Sequence, residues 1–135
     1  MKYMALIYSD PSLEPPYGTP EFQAMMMGYG SANKIMEEAG VMVHGDGLQD
    51  IETATSLRIR GGKTETMDGP FAETKERLGG YYILDCKDLD EALKYAALIP
   101  SAAYGTIEVR PLADYVKGFG CFLAYESLQR TNLWC

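Results

Sequence analysis

A few side chains stand where they could move protons or hold a charged ligand. Asp68 opens the corner of the run MDGPFAETKE, where a strand-like stretch meets Gly69 and Pro70. A carboxylate held at such a corner can serve as a general base or as a ligand anchor. It can equally close an Asx-turn, accepting backbone N–H bonds while Gly69 and Pro70 redirect the chain. His44 is the sole histidine, and imidazole is the side chain that titrates near neutral pH without help from its surroundings. Asp46 follows two residues later in the segment HGD, on the same side of a strand. His44 and Asp46 are thus a candidate proton-transfer pair, and a lone structural histidine is the alternative. Two residues are too few for zinc, which takes three or four protein ligands, so no metal is expected.

Lys75 and Arg110 are candidate anion clamps. Tyr8, Tyr81 and Phe71 are candidate aromatic contacts, with Phe71 also readable as a core or interface plug. Alternation sends Tyr81 and Tyr82 to opposite faces of one strand, so one of them can face a cleft. The mixed run Glu73, Lys75, Glu76 and Arg77 reads first as a solvated loop face. No phosphate-cradling glycine loop, nucleophile elbow or HExxH helix is present, and no cofactor is expected. Cys86, at a strand end, reads as a small buried hydrophobe.

A chain of 135 residues with 47% apolar and 23% charged side chains fits a soluble domain with a real core. A net charge of -7 argues against nucleic acid, which needs clustered Lys and Arg, and against anionic membrane surfaces. Three widely spaced cysteines without CxxC pairing suit a reducing compartment. The N-terminal run YMALIY is too short to span a bilayer and lacks a cleavage site. A cytoplasmic protein is expected.

These residues need elements to position them. Tyr3 to Tyr8 reads as a strand and SDPSLEPPYGTP as a Pro-rich loop. Thr19 is a candidate N-cap, followed by Pro20 and Glu21, for a helix. Its apolar stripe is Phe22, Met25, Met26, Tyr29, Ala32, Met36 and Ala39, and it stops at Gly40. VMVHG is a second strand, and TSLRIR–GGK–TETMD is a hairpin. GYYILDC is a central strand, and Asp88 with Glu91 forms a capping box for a second helix. That helix presents Leu89, Ala92, Leu93 and Ala96, and GTIEVRPL closes the order as a last strand with Ile107 and Val109 inward. The order is βαββαβ with an inserted β-hairpin, an α+β plan of ferredoxin-like type. The domain is expected over residues 1–113, with 114–135 an aromatic-rich extension. That extension is too apolar for a solvated tail and is expected to pack on the body or on a partner.

The DGPF tetrapeptide followed by AETKE and LGGYYIL resembles the YCII-related family, as do DLDEALKYAALIP and IEVRPL, and the likeness runs from Lys2 to Leu112. The resemblance implies a ferredoxin-like fold that pairs through its sheets into a dimeric α/β-barrel. Some YCII-like proteins are thought to use a His–Asp pair with the histidine in the first helix. Here that helix reads FQAMMMGYGSANKIM, without histidine, so that dyad does not carry over.

The reading is a homodimer that binds a small organic molecule in a cleft between sheet and helices, with acid/base transformation of that molecule as the extension. Asp68 and His44 would be its acid/base candidates. The alternative is a non-catalytic accessory or regulatory module whose dimer surface is its function.

Overall fold

The computed structural model describes residues 1–113, and the proposed packing of the aromatic-rich extension lies outside them. Strands β1 (Lys2–Ser9), β2 (Met42–Gly47), β5 (Arg77–Asp85) and β6 (Gly105–Pro111) form one sheet in the order β2-β5-β1-β6. Every pairing is antiparallel. Helices α1 (Pro20–Glu38) and α2 (Leu89–Ala96) provide the two crossovers, a mixed α+β architecture broadly of ferredoxin-like order. Strands β3 (Thr55–Arg60) and β4 (Lys63–Asp68), between β2 and β5 in the chain, pair with each other and with no other strand among the described residues. Their turn is Gly61–Gly62, both with positive φ, the backbone that a two-residue hairpin loop requires.

Local chemistry explains the ends. The Thr19 side chain accepts from the Phe22 N–H at the start of α1, Pro20 follows it, and Gly40 beyond the helix takes φ 72°. Gly28 sits inside α1 because a Cβ there would come within 3.0 Å of the Pro100 ring. Asp88 caps α2 by accepting from the Glu91 N–H at 2.9 Å. The Glu91 carboxylate returns to the Lys87 N–H at 3.2 Å, one residue before the expected partner.

The core lies between the sheet and both helices. Tyr3, Ala5 and Ile7 of β1 join Tyr82 and Leu84 of β5, Ala32 and Met36 of α1, and Ala92, Ala96 and Ile99. A fully buried Leu or Met contributes about 1.5–3 kcal/mol over its exposed state. Ile107 and Val109 pack against this cluster, as expected. Cys86 is buried beside it, and burial pushes its thiol above the ordinary range. Two expected stripes are corrected. Leu89 and Leu93 are about half exposed, because α2 meets the sheet through Ala92 and Ala96, whose small side chains allow close approach. Met26 of α1 and Ala39, the residue that caps its end, are exposed too, and only Ala32 and Met36 are buried in that helix.

Among the described residues, no helix lies on the other face of the sheet. Strand pairing lays its residues out in three rows: His44–Ile83–Met4–Arg110, Asp46–Tyr81–Leu6–Glu108 and Leu78–Tyr8–Thr106. The two inner strands present apolar side chains, and the edge strands β2 and β6 present polar and charged ones.

Candidate functional site

A cavity of about 520 Å³ opens between the N-terminal half of α1 and the sheet. Its roof is Met25, Met26, Tyr29 and Asn33, and its floor includes Ile7, Tyr82 and a run of glycines. The register puts Gly45, Gly47 and Gly80 on the helix-facing side, where Gly45 lies opposite Tyr82 and Gly47 opposite Gly80. Two of these glycines are demanded by the sheet itself. A Cβ on Gly45 would come within 2.6 Å of the Tyr82 ring, and one on Gly80 within 2.8 Å of the Asp46 carbonyl oxygen. At Gly47 the nearest atom would be 3.9 Å away, so its bareness serves no local packing and leaves the recess open.

The polar side chains on the helix-facing side of the recess, Tyr29, Asn33 and Tyr82, are neutral. The Tyr82 hydroxyl donates to Asn33 Oδ1, and burial pushes it up to about 12. Tyr29 bonds Ser101 through its hydroxyl and is raised by burial first. Both phenols therefore stay protonated at neutral pH, as hydrogen-bonding groups rather than bases.

The residues singled out from the sequence fall into three places. His44 and Asp46 do pair, Nε2 to Oδ2 at 3.1 Å, but on the open face of the sheet. Tyr81 stands beside them, its ring 5.8 Å from the imidazole between centroids. Asp46 and Tyr81 border the recess, although strand alternation sends their side chains to the opposite face. Arg110 lies on the far edge strand, held by Glu108 at 3.1 Å.

Tyr8, Phe71 and Lys75 come together at the end of the sheet. Tyr8 and Phe71 line a cavity of about 600 Å³ with Leu48, Ile51, Pro70 and Arg77. Tyr8 and Lys75 line a neighbouring one of similar size. Phe71 is 85% exposed, so it plugs no core among the described residues. The charge run is only partly solvated, for Glu76 is half-buried and accepts from Thr106 Oγ1 at 3.2 Å.

Asp68 ends β4 opposite Thr55, is exposed, and borders none of these cavities. The expected bonds from backbone N–H groups to its carboxylate do not occur among the described residues. The corner is held instead by the Gly69 N–H donating to the Ala54 carbonyl at 2.8 Å and by Ser56 Oγ donating to the Gly69 carbonyl at 2.8 Å. Gly69 takes φ 100°, a conformation that other residues resist.

Sequence reasoning passed over Asp10, which is buried at the end of β1. Its signal was the SDPS segment, an Asx-turn sequence set where a strand stops. Among the described residues, no group of three or more His, Cys, Asp or Glu could hold a metal ion. No helix there is long and apolar enough to cross a membrane.

An α+β domain with an antiparallel four-stranded sheet, two helices on one face and a recess under the first helix defines the class. The model of the YCII-related domain matches residues 1–116, and the chain belongs to that family. An uncharacterized protein of Rhizobium meliloti (strain 1021) is 40% identical over 120 residues, covering 87% of this chain and 97% of its own. Among solved structures, the 5-chloro-2-hydroxyhydroquinone dehydrochlorinase of Burkholderia phenoliruptrix AC1100, in complex with 2,5-dihydroxybenzoquinone, matches with a TM-score of 0.44 and 13% identity. That match covers 84% of this chain and 94% of the dehydrochlorinase.

Proposed function

We propose that this YCII-family domain binds a small, largely apolar organic molecule in the recess between α1 and the sheet. The observation that carries the reading is the bare floor at Gly47, a strand position whose side chain the fold could accommodate and does not have. Above it, Met25 and Met26 give an adaptable apolar roof, and Tyr29, Asn33 and Tyr82 offer neutral polar groups for orientation. Recognition of an uncharged molecule, rather than proton transfer to it, is what this lining suits. For a molecule held on the open face instead, His44 with Asp46 is the acid/base candidate and Tyr81 the adjoining aromatic contact. Asp68, which is not part of the recess lining, is the weaker acid/base candidate.

The partner we propose is a second copy of the chain, covering Met4, Leu6, Tyr81 and Ile83 of the open face in a dimeric barrel. An antiparallel sheet buries its apolar face against something. The same face supports the second reading, in which dimerisation itself is the function.

Gly47→Val tests the recess. A β-branched residue suits a strand, and the fold has room for its Cβ, so the variant should fold normally. A thermal-shift screen of neutral aromatic fragments should raise the melting temperature of the natural protein through mass action. The same fragments should leave Gly47→Val unmoved. Equal shifts in both proteins would refute the recess as the site.

A further inference from the structure

Away from the recess, one buried charge is left incomplete. Asp10 is 6% exposed. Its Oδ1 accepts from the Ser12 N–H at 2.9 Å and from Ser12 Oγ at 2.7 Å. These bonds hold the carboxyl below its ordinary range, so it is ionised at neutral pH. Its Oδ2 has no hydrogen-bond partner among the described residues. Buried carboxylate oxygens are ordinarily satisfied, and an exception calls for a cause.

The Lys75 ammonium stops 4.0 Å from Oδ2, beyond hydrogen-bonding distance. The Lys75 side chain is 87% exposed, and ordering so flexible a chain offsets most of what a pair of this kind gains. Both groups line a cavity of about 600 Å³, with Tyr8, Leu13, Thr74, Glu76, Thr106 and Glu108 around it. Asp10, Glu76 and Glu108 border it with Lys75, and since Glu108 is paired with Arg110, two carboxylates remain against the ammonium of Lys75. Arg77 lies near enough to act on Asp10, but it lines the adjoining cavities instead. The excess of acid selects a cation, and Tyr8 with Leu13 offers an apolar wall.

We propose that this cavity is a second binding site, for a small organic amine whose ammonium donates to Asp10 Oδ2 in the place that Lys75 approaches. Lys75 is then a built-in competitor, swinging into solvent when the ligand enters, rather than the anion clamp its sequence context suggests. An ammonium brings three donors on a compact head, and charge-assisted bonds to a carboxylate are the strong kind.

Calorimetric titration with 2-phenylethylamine, 2-phenylethanol and 3-phenylpropanoate separates the readings. The amine should bind, and the alcohol and the acid should bind at least about tenfold more weakly, as the loss of a charge-assisted bond implies. Asp10→Asn, which keeps an acceptor for Ser12, should lose the amine by a similar factor. Glu37→Gln, at an exposed position on α1, should not, which controls for general attraction to a chain of net charge -7. Lys75→Met should tighten the amine by up to about fivefold, the worth of a surface pair. Should Asp10→Asn fail to fold, the Lys75→Met arm decides alone. Amine binding that Lys75→Met leaves unchanged or weakens, or a preference for the phenylpropanoate that Lys75→Met abolishes, overturns the proposal. So does absence of amine binding at millimolar concentration.

Discussion

The two faces of the four-stranded sheet are built from the same strands and solve different problems. On one face Ala5, Tyr82 and Leu84 lie under α1 and α2, close to fully buried. On the other, Met4, Leu6, Tyr81 and Ile83 alternate with them residue by residue and stay only half-buried. Strand periodicity makes both faces apolar at their centre, whereas two crossover helices can cover only one. The covered face is itself uneven. Where Ala92 and Ala96 let α2 settle, the core is tight, and where glycines replace side chains under the start of α1, a recess remains. The difference separates residues that hold the fold from residues left over for partners and ligands.

The covered face should show the largest effect of a single substitution. Leu84→Ala, at a side chain with no exposure, should cost on the order of 2–5 kcal/mol in chemical denaturation, as lost burial and a cavity combine. A cost below about 1 kcal/mol would mean that the core is not where the buried residues place it. On the open face the matching change acts on assembly. The natural protein should show twice its 14.9 kDa chain mass by light scattering. Leu6→Lys should return it to one chain while the helical circular dichroism persists, because a lone charge blocks a buried interface. A natural protein that is monomeric throughout would remove the partner from the account.

A smaller effect is a pH dependence. The Tyr82 phenol is raised to about 12 in the folded chain, against about 10 when unfolded. The folded state therefore keeps its proton longer, and the stability this confers is fully present below pH 10. It should decline as pH rises from about 10 to about 12. Tyr82→Phe should flatten the decline in that window, at a cost of about 1 kcal/mol at neutral pH for the lost bond to Asn33. An alkaline profile unchanged by the substitution would place the responsible group elsewhere.

Much of this fold was legible in the sequence, because local rules governed it. Thr19 and Pro20 announced α1, Asp88 and Glu91 announced α2, and Gly61–Gly62 could hardly sit anywhere but in a hairpin turn. Alternation separated Tyr81 from Tyr82 correctly. The helix faces were less legible. Leu89 and Leu93 looked like anchors by hydrophobicity, but contact with the sheet is decided by how closely two surfaces approach, which favours Ala92 and Ala96. The pairing of His44 with Asp46 followed from strand period, whereas the face they share depended on the bulge between Met42 and His44.

The recess and the Asp10 cavity were hidden for two reasons. The recess is made by what Gly45, Gly47 and Gly80 lack, and a search for reactive side chains passes over glycines. The Asp10 cavity exists because the chain returns 65 residues later to set Lys75 beside that carboxylate, a long-range contact with no local signature.

Methionines report on the recess without any knowledge of the natural ligand. Met25, Met26 and Met42 line the recess, Met4 stands on the open face and Met67 on the hairpin. With ¹³C-methyl methionine labelling, titration of a neutral planar probe such as p-cresol should shift the Met25, Met26 and Met42 resonances along one saturable curve, with Met4 and Met67 unmoved. Movement confined to Met4, or no saturable movement at any of the three recess methionines, would contradict a binding recess under α1.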